Sequence, residues 1–280
     1  MSTPSCNPSD LLARYIAHWR LRPEGPPFYT AAGALQPVRW RSEPAMLKIA
    51  LNDDEARGNR LMAWWNGGQA ARVFGQHGAA LLMERLGPPL TASMSIETDE
   101  QCCLTLCRTA CGLHSQAAAP QAGLLPDLLP LADWCRDLLD AATTHDLAVR
   151  QAAALAATLL AETRDEVVLH GDLHHGNLLH VAAGGWLAID PKGLWGERGF
   201  DYANLFCNPD YELVSAPGRF ERLLVLVTES AQLERHRLLC WIASWAGLSS
   251  VWFGRDGGDG HCARFVLETS LRLLAGGTGR

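Results

Sequence analysis

The sequence predicts an α+β protein of two lobes, a small antiparallel β lobe followed by a larger helical one. Three observations carry this. Strand-like patterns fill residues 28–51 and 71–86, Gly87-Pro88-Pro89 then breaks the chain, and beyond it apolar residues recur mostly at helical spacing. One strand–loop–strand passage at 167–189 interrupts the helices. We therefore expect lobes at 1–86 and 87–280, a division that a chain of 280 residues accommodates.

Taken in order, Ser9 or Asp10 is expected to cap a first helix that puts Leu11, Leu12, Tyr15, Ile16 and Trp19 on one stripe. Leu35-Gln36-Pro37-Val38-Arg39-Trp40 alternates as a strand, and Ala45-Met46-Leu47-Lys48-Ile49-Ala50-Leu51 reads as a buried one. The turn joining them is placed at Ala31-Ala32-Gly33-Ala34. Asp53-Asp54-Glu55 opens a helix, since acids in a first turn offset the helix dipole. Two further strands flank a His77-Gly78 turn. Helices are then expected from Asp99 to His114, over 131–142 and over 148–163, with two or three more beyond residue 217 and a Gly-rich break at 254–260.

Composition excludes several classes. A net charge of −6 gives no electrostatic footprint for nucleic acid and suits a small cationic substrate. Nine cysteines form no secreted disulfide framework, and no apolar run approaches the ~20 residues that span a bilayer. The first ten residues lack a basic and an apolar leader region, so the expected location is cytoplasmic, with reduced thiols and no membrane partner. Oligomeric state leaves no mark in the sequence.

The chemistry concentrates in His170-Gly171-Asp172-Leu173-His174-His175-Gly176-Asn177 and in Ile189-Asp190-Pro191-Lys192-Gly193. An apolar run delivers an aspartate and, five residues on, an asparagine; a second apolar run ends on another aspartate. Phosphoryl transfer from ATP needs this set: a carboxylate to take the acceptor's proton, here Asp172, and oxygen ligands for Mg²⁺, here Asn177 and Asp190. Gly171 stands where protein kinases carry an arginine, and no activation segment follows Asp190, which points to a small-molecule acceptor. Three histidines beside Asp172 also raise a zinc-hydrolase reading, which lacks a ligand pair at helical spacing. Cys103, Cys107 and Cys111 lie on one helical stripe with Cys102 and His114 nearby, and read as core. Lys48 on its strand is either a solvated lysine or a group reaching into a site.

These two phrases, with Gly185 to Asp201 around the second, resemble the aminoglycoside phosphotransferase family, in particular its branch of streptomycin 6-kinases and aminoglycoside/hydroxyurea resistance kinases. The resemblance runs over about 48–206. It implies a protein-kinase-like two-lobed fold, ATP with Mg²⁺, and transfer of the γ-phosphate to an aminoglycoside hydroxyl. It favours an ion pair of Lys48 with Glu55 gripping the α- and β-phosphates. It places a hinge at 84–87, where the Glu84 carbonyl and the Leu86 N–H would meet adenine. His174 would stand where kinases keep a cation near the γ-phosphate. Asp201 is either a helix-dipole partner or the family's buried aspartate that holds the catalytic loop. No G-x-G-x-x-G or Walker A sequence appears, leaving only Gly33 to shape a turn over the phosphates.

A cationic acceptor calls for carboxylates near the γ-phosphate. The candidates are Glu197, Asp210, Glu212, Asp256 and Asp259, with Trp241, Trp245 and Trp252 as core or sugar-flanking aromatics. The alternatives are a kinase of another small alcohol (an amino alcohol, a sugar or hydroxyurea) and a nucleotide-binding module without catalysis, for which an intact Asp172, Asn177, Asp190 and Lys48 would serve no purpose.

Overall fold

The computed structural model describes residues 7–116, 125–143 and 146–277. The reading of the first six residues and the helical expectation across 117–124 and 144–145 lie outside them. Helix α1 (Pro8–His18) is capped earlier than expected: Asn7 Oδ1 accepts the Ser9 N–H at 3.1 Å, so neither Ser9 nor Asp10 is the cap. Pro8 opens the helix where a missing N–H costs nothing.

Strands β1 (Arg22–Pro23), β2 (Phe28–Tyr29), β3 (Gly33–Trp40), β4 (Glu43–Ala50), β5 (Val73–His77) and β6 (Ala80–Glu84) form one antiparallel sheet in the order β1-β3-β4-β6-β5, with β2 also on β3. The turn at residues 31–34 joins β2 to β3. The β3–β4 turn is instead Arg41-Ser42, with Arg41 at φ 55°. Side chains alternate along β4: Ala45, Leu47 and Ile49 pack with Leu12 and Tyr15 of α1, and Lys48 points to the opposite face, where α2 (Asp53–Trp65) lies. That alternation decides the two readings of Lys48 against solvent.

The larger lobe holds α3 (Asp99–Gln116), α4 (Leu131–Trp134), α5 (Arg136–Asp140), α6 (Leu147–Ala161), α7 (Gly199–Ala203), α8 (Tyr211–Val214), α9 (Arg219–Ala231), α10 (Arg235–Asp256) and α11 (His261–Gly277). Residues 238–249 of α10 are buried on every side, as expected of a helix that packs against α5, α6, α7, α9 and α11 at once. The single helix expected over 131–142 is broken at Cys135, whose backbone leaves the helical region while its side chain stays buried. Helix α10 runs through Gly254 and stops where Gly257 takes φ 69°, so the Gly-rich break is shorter than expected. Cys102, Cys103 and Cys107 are buried, whereas Cys111 is exposed.

Between these helices lie β7 (Leu129–Pro130), β8 (Glu166–Leu169), the hairpin β9 (Leu178–His180) and β10 (Trp186–Ala188), and β11 (Leu194–Glu197). β11 pairs antiparallel with β8 and parallel with β7. The lobes meet through backbone bonds on this hairpin: Gly87 N–H donates to His180 O at 2.8 Å and Ala71 N–H to Ala188 O at 3.0 Å. Among the described residues no helix is long and apolar enough to cross a membrane.

Candidate active site

The loop after β8 is held from beneath by Asp201 at the start of α7. Its carboxylate accepts the N–H groups of His170 (2.8 Å) and Gly171 (2.7 Å) and bonds His114 Nε2 of α3 at 2.9 Å. Burial alone would push Asp201 up; the His114 bond first, and then the neighbouring His170 and the Gly171 N–H, hold it below the usual carboxylate range. Of the two readings of Asp201, the loop-holding one describes its contacts. Gly171 sits at φ 82°, and a Cβ there would come 2.7 Å from the Leu194 side chain, so the turn requires glycine. His170 bridges the loop to the segment after β10: its Nε2 donates to Ile189 O at 2.9 Å and its Nδ1 accepts the Asp172 N–H at 3.3 Å. Buried and so bonded, it is neutral, with its pKa lowered to about 4 by desolvation.

Asp172 is thereby aimed into the interlobe cavity. Asn204 Nδ2 donates to its Oδ1 at 2.9 Å, while Lys192 Nζ lies 3.9 Å from Oδ2 and His174 Nε2 3.9 Å from Oδ1. Protein crowding raises the Asp172 pKa, with His174 and Lys192 pulling against that rise. Asn177 Nδ2 donates to the Asp172 carbonyl at 2.9 Å, which commits the amide nitrogen and leaves Oδ1 as the end able to meet a cation.

Facing them, one buried carboxylate gathers the lysines. Glu55 pairs through Oε2 with Lys48 and through Oε1 with Lys192 at 2.9 Å, and Lys48 also bonds Asp190. Asp190 has φ 65°, a left-handed conformation that Asp tolerates better than most residues. Burial would raise its pKa, but Lys48 and then Lys192 bring it below the ordinary value. Asp190 and Asn177 together offer hard oxygen donors, the chemistry that Mg²⁺ requires, beside a cluster with one more carboxylate than ammonium. Gly33 opens β3 above this group; a Cβ there would lie 3.9 Å from Lys48 Cε and 3.2 Å from Ile49 O. Helix α2 is docked directly on the loop at Asp190 to Gly193: a Cβ on Gly58 would come 2.0 Å from Pro191 O, and Arg57 Nε donates to Lys192 O at 2.9 Å.

At the hinge, the Glu84 N–H donates to Arg72 O and its carboxylate accepts the Arg72 N–H at 2.6 Å. Leu86 follows, half-buried, on the way out of β6.

The cavity in front of Asp172 measures about 890 Å³ and is lined by Asp54, Asp133, Asp137, Asp256 and Asp259 together with Trp134, Trp245 and Trp252. Two of the five expected acceptor acids, Asp256 and Asp259, therefore stand in it. The other three do not. Glu197 is buried on β11, where it binds Arg237, accepts Trp241 Nε1–H at 2.8 Å and accepts the Arg164 N–H at 3.1 Å, so its lone pairs are spent on structure. Asp210 caps α8, accepting the Leu213 N–H at 3.0 Å. Glu212 is exposed outside the cavity lining. Trp241, buried on Glu197, is core, while Trp245 and Trp252 reach the cavity wall.

Sequence reasoning missed Lys192, Asn204, Asp54, Asp133 and Asp137. For Lys192 the available signal is its position two residues after Asp190. Asp133 and Asp137 lay hidden in what read as one amphipathic helix.

Comparison with known proteins agrees with this geometry. The family model for aminoglycoside/hydroxyurea antibiotic resistance kinases matches residues 18–257. Streptomycin 3''-kinase of Klebsiella pneumoniae is 46% identical over 250 residues, covering 86% of this chain and 92% of that protein. Hydroxyurea phosphotransferase of Kitasatospora aureofaciens is 30% identical, covering 88% and 73%. In fold, a thermostable mutant of aminoglycoside phosphotransferase APH(4)-Ia in ternary complex with ADP and hygromycin B superposes with a TM-score of 0.64 at 12% identity, over 96% of this chain and 99% of that one. The chain belongs to the aminoglycoside/hydroxyurea antibiotic resistance kinase family.

Proposed function

We propose that this protein is an ATP-dependent kinase that inactivates a streptomycin-like aminoglycoside by phosphorylating one of its hydroxyls. The observation that carries the reading is the cavity itself: Asp172 opens onto a space walled by five further aspartates and three tryptophans, against which stand the cations Lys192 and Arg136, the latter paired with Asp133. Carboxylates suit ammonium and guanidinium groups, and indole faces suit a sugar ring. A neutral acceptor as small as hydroxyurea needs neither that volume nor that charge.

In this reading the acceptor oxygen attacks the γ-phosphorus, its proton passes to Asp172, and the bond from the γ-phosphorus to the bridging oxygen of ADP breaks. Lys48, oriented by Glu55, grips the α- and β-phosphates, and the hinge backbone at Glu84 and Leu86 meets the adenine. His174 and Lys192 flank the base. Asn177 and Asp190 would hold Mg²⁺, which supplies charge neutralisation when bound. Most of the catalysis is positioning and electrostatics. The need for ATP and the free thiols favour a cytoplasmic location.

The test is an acceptor panel (streptomycin, other aminoglycosides, hydroxyurea and choline) incubated with MgATP and read by the mass shift of the product. NMR then locates the phosphate, with the 3''-hydroxyl examined first because the relative named for that position is 46% identical. Phosphorylation of hydroxyurea or choline in preference to every aminoglycoside overturns the acceptor; no phosphorylated product at all overturns the kinase reading.

A further inference from the structure

Asn204 is the closest side-chain donor to Asp172, and nothing in the motif logic assigns it a task. An amide has two ends of nearly equal shape and opposite polarity, so which end faces the base has to come from its other contacts. Those contacts settle it. Asn208 Nδ2 lies 3.0 Å from the Asn204 backbone carbonyl, which can only accept, so the NH₂ end of Asn208 faces Asn204. The same Nδ2 lies 2.9 Å from Asn204 Oδ1. The oxygen end of Asn204 is thereby committed to Asn208, and its NH₂ end must face Asp172 Oδ1, at 2.9 Å.

The far end of this chain is fixed as well. Asn208 O accepts from Arg219 Nη2 at 3.0 Å, and Arg219 makes a two-pronged pair with Asp99 at 2.7 and 2.9 Å. Arg219 and Asp99 are 2% and 3% exposed, so neither has water as an alternative partner. A breakage there would strand a buried charge, which makes the anchor stiff.

We infer that Asn204 is a positioning residue for phosphoryl transfer, holding the Asp172 carboxylate through an amide whose orientation Asn208 enforces. The inference rests on the kinase reading, with Asp172 as base. Asn204 takes one lone pair of Oδ1 and leaves Oδ2, on the Lys192 side, as the more open oxygen for the acceptor's proton.

The experiment measures kcat and the KM for ATP with streptomycin as acceptor, together with the thermal midpoint. Asn204→Ala keeps the backbone carbonyl that anchors Asn208, so the fold retains that contact. Its kcat is expected to fall about 10–100-fold, the worth of a hydrogen bond to a charged group, with little change in the KM for ATP. Asn204→Asp sets two carboxylates face to face and should lose more. Asn208→Ala never touches Asp172 but frees the Asn204 amide to rotate, and should lower kcat several-fold. The double variant should be no worse than Asn204→Ala alone, because both act through one bond. An Asn204→Ala enzyme within about twofold of wild-type kcat overturns the inference, as do effects that multiply in the double variant. If Asn204→Ala does not fold, an unchanged kcat in Asn208→Ala is equally decisive. Asp172→Asn run in parallel separates the two levels: its continued turnover sinks the base itself, whereas its inactivity beside an unaffected Asn204→Ala sinks only the positioning role.

Discussion

Lys192 places its ammonium 2.9 Å from Glu55 Oε1 while the other oxygen of the same carboxylate holds Lys48. One buried acid on α2 thus tethers two cations from different strands and loops, and the second of them stands 3.9 Å from Asp172. Burial works against the charge on Lys192, but Asp190, Asp172 and Glu55 outweigh it and raise its pKa, so the ammonium stays charged.

With Asp172 as the proposed base, a fixed cation beside it offsets charge that develops only in the transition state. Lys192→Met is therefore expected to lower kcat by ~10²–10³, with a smaller change in the KM for ATP. Lys192→Arg keeps the charge and should retain part of the rate. A steady-state comparison in which only the KM for ATP rises would show that Lys192 merely balances Glu55.

Gly58 decides whether α2 can deliver Glu55 at all. In an exposed helix, Gly→Ala gains roughly 0.5–1 kcal/mol. Here the new methyl meets the Pro191 carbonyl, which is backbone and cannot step aside. Overpacking of this kind costs about 1–3 kcal/mol, so the clash wins. Gly58→Ala should lower the urea midpoint and turnover together, because displacing α2 separates Glu55 from both lysines. A variant as stable as wild type would mean that α2 and the loop at Pro191 are less tightly docked than the structure has them.

Much of this was legible in the sequence because it follows from short periods and fixed offsets. Alternation along β4 sends Lys48 away from Leu47 and Ile49, and an Asp with an Asn five residues later defines a loop before any tertiary contact is known. Contacts between distant segments were not legible. Glu197 sits only seven residues after Asp190, yet β11 turns it into the core against Arg237 and Trp241. Asp133 and Asp137 line the cavity on either side of Cys135, and nothing local to their helical stretch says which of its faces meets Asp172. Asn204 gains its role from Asn208 and Arg219, which no local pattern links to Asp172.

His175 presents a different kind of cost. It is fully buried, and among the described residues neither ring nitrogen has a hydrogen-bond partner. Desolvation first, then the nearby positive charges of Arg219 and His174, lower its pKa to about 3, and His170 lies at about 4. Both therefore fold as neutral rings, while in the unfolded chain they gain protons below about pH 6.5. The unfolded state binds more protons, so stability falls as pH drops from about 6.5 toward 4, by up to about 1.4 kcal/mol per pH unit for each histidine. His175→Leu removes one of the two groups and an unpaired polar ring. Thermal midpoints at pH 7 should be equal or higher, and the decline toward pH 5 shallower. A steeper decline in the variant would contradict the neutral, unpartnered state of His175.

On the proposed function, the acidic wall sets the affinity for the acceptor. Asp133 and Asp256 approach the cavity from α4 and from the end of α10, and both remain partly open to solvent, so each contact with a cationic group is screened. Screened charge contacts of about 0.7 kcal/mol each would together set roughly a tenfold change in affinity. Asp133→Asn combined with Asp256→Asn should therefore raise the acceptor KM about tenfold while kcat moves less, the pattern of contacts present equally in the ground and transition states. Glu212→Gln removes the same charge outside the cavity and serves as the control, with no comparable shift expected. In wild type the acceptor KM should also climb with ionic strength, and the KM for ATP, set partly by buried groups, should climb less. An acceptor KM indifferent to salt, with the double variant matching Glu212→Gln, would remove the charge argument for an aminoglycoside and leave the phosphoryl-transfer geometry at Asp172 untouched.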